Sequence, residues 1–252
     1  MNQYYFTGGT MDYKLFPLGD QGIMIELGTD ISEMTHQKVQ VLSFYLQHHP
    51  IEWMIEYIPS FTTVSIFYHA MKIERLTLGR ISPYYYVCEQ LTKILSSIEL
   101  NQTLTSRIIE IPVCYGGEYG PDIELVAELN HLTPEEVIQI HSSGDYLVYM
   151  IGFAPGFPYL GGMSERIAAP RRKTPRLQIP ARSVGIAGSQ TGIYPLETPG
   201  GWQVIGRTPV SLFRPDEDPP TLLKAGDRIK FTSISSEEYK EREAKENHDY
   251  NY

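Results

Sequence analysis

The stretch Tyr146–Gly162, YLVYMIGFAPGFPYLGG, decides how the chain is read. Its first half is a β-type apolar run. Its second half, from Gly152 on, is dominated by glycine and proline. Proline fixes backbone direction and glycine leaves amides uncovered, so the segment reads either as a plain loop between strands or as one wall of a pocket. From Asp145 to Phe231 the same texture continues. Short β-type runs (LQIPA, VGIAG, WQVIGR, VSLF, RIKF) alternate with Gly/Pro-rich turns and no helical period survives. That pattern predicts an all-β barrel or sandwich.

Upstream the periodicity differs. Ile31 to His48 is amphipathic, with Ser32 as N-cap and Pro50 just beyond its end. Pro83 to Ile98 is a second helix, capped by Ser82. WMIEYIP and TTVSIFY are close enough to pair as a hairpin, and RIIEIPV is a further strand. The order β-α-β-β-α-β predicts a small α/β sandwich with helices on one face of a mainly antiparallel sheet. Two short helices follow, Asp122–Asn130 and Thr133–His141, the latter with a Thr133/Glu136 capping box. The expected organisation is an N-terminal α/β domain over 13–112 and a barrel domain over 113–232. The charged tail 233–252 is expected to be frayed helix or disordered.

The chain has 252 residues and a formal net charge of −9, which argues against a general nucleic-acid binder. No apolar run approaches the ~20 residues that span a bilayer, and the N-terminus lacks a secretory signal, so a cytoplasmic protein is expected. Cys88 and Cys114 are the only cysteines and read as buried thiols, with no metal-ligand spacing around them. Phosphate-loop, GxGxxG, HExxH and GxSxG motifs are absent.

Candidate chemistry concentrates between His141 and Thr208. RRKTPR (Arg171, Arg172, Lys173, Arg176) is either a solvated loop or a local anion site. Phe157, Tyr159, Tyr194 and Trp202 are candidate apolar walls, or barrel core. Gly156 and Gly201 would let a ligand approach backbone amides. Gln190 and Tyr194 are candidate orienting groups, and His141 is either a structural histidine or a general acid or base.

GFAPGFPYL, PRRKTPR, SVGIAGSQTGIYP and PGGWQVIGRTP together resemble the carboxy-terminal signature of the family of KipI and the 5-oxoprolinase B subunits, whose domain also goes by the name of the first allophanate hydrolase subunit. PLGD, EYIPSFTTVSIFY, EIPVCYGGEYGPD and IHSS extend the resemblance over Tyr13 to Phe231. Residues 1–12 lie outside it, which makes Met11 a candidate native start. The resemblance implies an α+β fold: an N-terminal α/β domain followed by a cyclophilin-like β-barrel. It implies one of two activities. One is that of the B subunit of an ATP-dependent 5-oxoprolinase, which converts 5-oxo-L-proline to L-glutamate together with the A and C subunits and is inactive by itself. The other is protein–protein inhibition of a sporulation sensor histidine kinase. Related domains form part of the carboxyltransferase unit of urea carboxylase. For the enzyme, ATP with Mg2+ is expected, held by this chain or shared with its partners. Chemistry then casts Arg176 and Arg207 as substrate or phosphate clamps, Gln190 and Tyr194 as orienting groups, and His141 as a proton carrier.

Overall fold

The structure, a computed structural model, describes residues 5–6, 11–98 and 106–249. The chain divides into two compact units, one up to residue 105 and one from residue 106 onward.

The first unit contains β1 (Tyr5–Phe6), β2 (Tyr13–Pro17), β3 (Gly22–Glu26), α1 (Glu33–His48), β4 (Met54–Pro59), β5 (Thr63–Tyr68), α2 (Ala70–Thr77) and α3 (Pro83–Ser97). Its strands form one antiparallel sheet in the order β1-β2-β3-β5-β4. Alternate residues such as Leu15, Ile25 and Val64 stand in register across it, because successive strand residues point to opposite faces. They share a core with Val39 and Leu42 of α1, Ile73 of α2 and Val87 and Leu91 of α3. The helix starts follow the expected caps: Ser32 Oγ accepts from Thr35 N at 3.3 Å, and Ser82 Oγ accepts from Tyr85 N at 3.5 Å. The short helix α2 was not expected. Only Ile73 of its eight residues is buried, too little apolar signal for a period to show.

The second unit runs through β6 (Ile108–Tyr115), α4 (Ile123–Leu129), α5 (Pro134–Ser142), β7 (Tyr146–Ile151), β8 (Pro158–Gly161), β9 (Arg176–Ile179), β10 (Ser183–Ala187), β11 (Gln190–Ile193), β12 (Thr198–Gly200), β13 (Gln203–Arg207), β14 (Arg228–Ser233) and α6 (Ser236–Asp249). Seven strands close a barrel in the order β10-β11-β8-β7-β14-β6-β13, with β13 returning to β10. β9 and β12 form a separate two-stranded ribbon. Closure leaves no open edge, and the interior is filled by Ile111, Val148, Leu160, Val184, Ile205 and Phe231 among others. This is the expected α+β architecture with a barrel.

Two expectations need correction. The boundary at 112/113 falls inside β6, which pairs in parallel with β14 from Ile108 to Val113 and so belongs wholly to the barrel. The tail is not frayed where it is described. Ser235 and Glu238 make a reciprocal cap (Ser235 N to Glu238 Oε2 2.9 Å, Glu238 N to Ser235 Oγ 3.2 Å), which starts α6. The helix then docks on the barrel through Tyr239, which is fully buried and packs on Tyr119 with ring centroids 4.3 Å apart. Arg182–Glu243 (2.7 Å) and Arg214–Glu246 (3.0 Å) flank that anchor. Among the described residues, no helix is long and apolar enough to cross a membrane, and Cys88 and Cys114 are free thiols.

Candidate functional site

The segment between β7 and β8 is a closed turn. Ala154 N donates to Gly152 O (2.8 Å), Phe157 N to Ala154 O (3.0 Å), and Gly152 N to Phe157 O (3.1 Å). Gly156 takes a left-handed φ of 80°, as a turn this tight requires. The turn delivers Phe157 to the middle of an aromatic cluster. Its ring lies 5.3 Å from Tyr159, 5.5 Å from Tyr194 and 5.7 Å from Trp202, all near perpendicular. Phe157, Tyr194 and Trp202 are buried against one another together with Ile179 and Val204, while Tyr159 is half-buried. The candidate wall is therefore a packed aromatic platform. Gly192 admits it from below: a Cβ there would stand 3.1 Å from Trp202 Cζ3 and 3.2 Å from Phe157 Cζ. Burial pushes the Tyr194 hydroxyl up to about 12, opposed mainly by the charge of Arg171.

Beside the platform, one carboxylate organises the basic loop. Asp122 precedes α4, yet its side chain does not cap that helix. It is 4% exposed and accepts from Arg176 Nη1 and Nη2 (2.8 and 2.7 Å), Arg172 Nη1 (3.1 Å) and the amide of Val204 on β13 (2.7 Å). A buried carboxylate is tolerated because its lone pairs are filled by charged and backbone donors. Arg172 N also donates to Gly201 O (2.7 Å), and Gln203 Nε2 to Pro170 O (2.8 Å), so the loop is laced to β13 along its length. Arg176, expected as a ligand clamp, has its guanidinium fork spent on Asp122, whereas Arg171 and Lys173 are exposed. Sequence reasoning passed over Asp122. Its only signal was an acid at a helix start in EYGPD.

His141 lies elsewhere, inside the barrel and fully buried. Thr191 Oγ1 donates to Gly185 O (3.1 Å), so it accepts from His141 Nε2 (2.9 Å); Nδ1 is left to accept the Tyr115 hydroxyl (2.8 Å). Burial pushes the imidazole down to about 3, so it is neutral at pH 7. This geometry makes His141 a pin between α5, β6 and β11, without the solvent access that an expected proton carrier needs. Tyr115 and Thr191, which hold it, were not singled out by the sequence.

Arg207 is also apart. It sits at the far end of β13 from Trp202, roughly 13 Å along the strand from Gln203, donates Nε to Ala181 O (2.9 Å), and lies near the Tyr239 region of α6. The structure thus gathers Phe157, Tyr159, Tyr194 and Trp202 by ring contact, and joins Arg176 and Gly201 to them through the loop and β13. Gln190 opens β11 in a half-buried position next to Thr191. Among the described residues, no three His, Cys, Asp or Glu side chains converge to hold a metal. A cleft of about 600 Å³ occurs in the first unit, lined by Lys14, Glu26 and Lys38, but its two lysines are bound to Glu26 (3.1 Å) and to Leu27 O (3.2 Å).

Residues 13–223 match the carboxyltransferase domain, subdomain C and D. The chain belongs to this family. Within it, the chain is 52% identical to the 5-oxoprolinase B subunit of Bacillus subtilis (strain 168), over 91% of this chain and 96% of that protein. It is 40% identical to the 5-oxoprolinase B subunit of Escherichia coli O157:H7, over 86% and 94%. Among solved structures it is similar to TTHA0988, with 32% identity and a TM-score of 0.73 over 86% of this chain; the chain spans only 40% of that one. The Kluyveromyces lactis urea amidolyase shares the fold at 18% identity, with a TM-score of 0.72 over 95% of this chain and 16% of that one. Asp122, the basic loop and the aromatic platform all fall within the family match, and α6 falls outside it.

Proposed function

We propose that this protein is the B subunit of an ATP-dependent 5-oxoprolinase, a component of a multi-chain enzyme that opens 5-oxo-L-proline to L-glutamate with its A and C subunits. The observation that carries this reading is the end-to-end match to relatives of that name, which extends over more than nine tenths of both chains for the Bacillus protein. It takes precedence over kinase inhibition, the second activity the family resemblance implied, for that reason.

The geometry supports a contributing subunit. The aromatic platform is packed shut, Arg176 is committed to Asp122, and His141 is sealed in the barrel, which fits a chain that completes its active site with groups from a partner. This chain offers the Gln190 amide and the backbone of Gly201, held by a rigid barrel. ATP supplies the free energy for opening an unstrained lactam. We infer that Mg2+–ATP is held with the partner chains: among the described residues no three His, Cys, Asp or Glu side chains converge, and two of the four RRKTPR cations are engaged by Asp122.

The test is reconstitution. The purified chain alone should form no glutamate from 5-oxo-L-proline and ATP, and addition of the A and C subunits should restore turnover. A mixture equally active without this chain would overturn the assignment.

A further inference from the structure

Spacing decides which side of α6 meets the barrel. Tyr239, Glu243 and Glu246 stand at i, i+4 and i+7 and so share one helix face. Tyr239 is fully buried, and the Glu243 and Glu246 side chains are only 29% and 20% exposed. Lys240, Glu241, Arg242 and Lys245 face solvent instead. Each of the two inward carboxylates fills a pair of donors with one oxygen. Glu246 Oε1 accepts from the Ser211 amide (2.9 Å) and from Arg214 Nη2 (3.0 Å). Glu243 Oε1 accepts from Arg182 Nη2 (2.7 Å) and from the Tyr239 hydroxyl (2.9 Å). Arg207 faces the same space: burial pushes the Tyr239 hydroxyl up, and the charges of Arg207 and Arg182 oppose it.

The barrel holds its own donors in place. Arg182 takes a left-handed φ of 70° in the turn between β9 and β10. Its amide donates to Tyr194 O (2.5 Å), its carbonyl accepts from Thr208 N (3.0 Å), and Nη1 donates to Pro209 O (2.9 Å). Arg214 N donates to Pro220 O (2.7 Å), and Arg214 Nη1 reaches Glu217 at 3.3 Å. Arg207 Nε is tied to Ala181 O (2.9 Å). None of these ties runs through α6, so the donors keep their places when the helix leaves. A guanidinium and a backbone amide converging on one oxygen is an arrangement that binds oxyanions. Three arginines around it favour an anion in the place of the helix. Glu243 and Glu246 thus stand where a ligand's acidic oxygens would sit.

We propose that Arg182, Arg214 and the Ser211 amide form an oxyanion site, and that α6 is a strap which fills it with Glu243 and Glu246 until a small oxyanion displaces them. The strap is light enough to move. One tyrosine and two partly exposed ion pairs hold it, so it opens locally at less cost than the barrel. Because the helix is tethered, a free anion sees the site only in the open fraction, which lowers its apparent affinity. Two sources share the required chemistry, inorganic phosphate and a dicarboxylate such as L-glutamate. Both are products of an ATP-driven lactam opening, so the strap would respond to product; this link rests on the 5-oxoprolinase reading.

Titration calorimetry of the full chain with sodium phosphate, and separately with sodium L-glutamate, tests the site at constant ionic strength. Tyr239→Ala, which frees the helix, should bind at least one of them about tenfold or more tighter than wild type, because the site is then always open. Adding Arg182→Gly, which suits the left-handed turn, and Arg214→Gln should abolish that gain. In the wild type, the same anion should speed amide exchange at 236–246 beyond chloride of equal ionic strength. A gain with phosphate alone names a phosphate site, one with glutamate alone a carboxylate site, and one with both a general oxyanion site. Affinities of Tyr239→Ala within about twofold of wild type for both anions would overturn the proposal. So would a gain that survives the loss of both arginines. If Tyr239→Ala does not fold, Glu243→Gln/Glu246→Gln keeps the tyrosine, removes both occupants and should shift affinity the same way; no shift there overturns the site. All of this is read on the chain alone. A null result therefore leaves the 5-oxoprolinase reading standing, whereas failed reconstitution leaves the site and removes only its link to product.

Discussion

Asp122 and Arg176 meet in a two-pronged contact, Nη1 to Oδ2 at 2.8 Å and Nη2 to Oδ1 at 2.7 Å, on a carboxylate that also takes Arg172 and the Val204 amide. One buried acid therefore fixes a loop of four cations against β13. Asp122→Asn removes the charge and leaves two arginines facing each other. Because both guanidinium groups are partly exposed and can recruit water, the cost falls below that of a fully buried broken pair, at about 2 kcal/mol. Urea denaturation of the variant measures it, and an unchanged midpoint would refute the organising role.

His141 sets an acid limit on stability. Folded, it binds a proton only below about pH 3; unfolded, it does so below about 6.5. Between those values the unfolded state holds more protons, so stability is full above about pH 6.5 and is lost as pH falls toward 3. This histidine alone removes about 2 kcal/mol between pH 7 and pH 5. Unfolding free energies of wild type and His141→Gln at both pH values give the comparison. The variant should show a shallower pH slope, and equal slopes would contradict the sealed, neutral imidazole.

The two glycines of the candidate site should behave differently. Gly156 has φ 80°, and a Cβ there would meet Leu212 O and Phe213 Cβ, both at 3.1 Å; Gly156→Ala should cost about 1.5 kcal/mol. At Gly201 the nearest atom to an added Cβ is 3.7 Å away, so Gly201→Ala should stay within about 0.5 kcal/mol of wild type. If Gly201 lends its backbone to the reaction, the same variant should lower turnover in the reconstituted enzyme while its melting temperature holds.

Docking of α6 depends on Tyr239. Tyr239→Ala should release the helix without opening the barrel, seen as a roughly tenfold or greater loss of amide protection confined to 236–246. The Arg182–Glu243 and Arg214–Glu246 pairs are partly exposed, so 1 M salt should enhance the release by screening them. Uniform loss of protection throughout the barrel would mean that the helix and barrel unfold as one.

The parts of this molecule that are local in sequence were readable from it. Ser32, Ser82 and Thr133 mark helix starts because a cap bonds residues three positions away, and barrel strands show as short apolar runs between glycines and prolines. What escaped depends on distance. Asp122 finds Arg172 and Arg176 some fifty residues on, and nothing near EYGPD announces them. His141 closes a helix end like many others until β11 brings Thr191 against it. RIIEIPV is equally apolar in either unit, and only its parallel pairing with β14 assigns it. In α6 a single tyrosine carries the burial amid charged residues, although the Ser235/Glu238 spacing was a start signal that could have been used.

The parallel pairing of β6 with β14 also orders events during synthesis. Ile108 must wait for Arg228 and Val113 for Ser233, so the barrel cannot close until synthesis has passed residue 233. Until then β6 is an apolar strand with one ladder unfilled, as in any chain whose partners are still unmade. Termination before residue 228 therefore leaves that ladder of β6 without its partner strand.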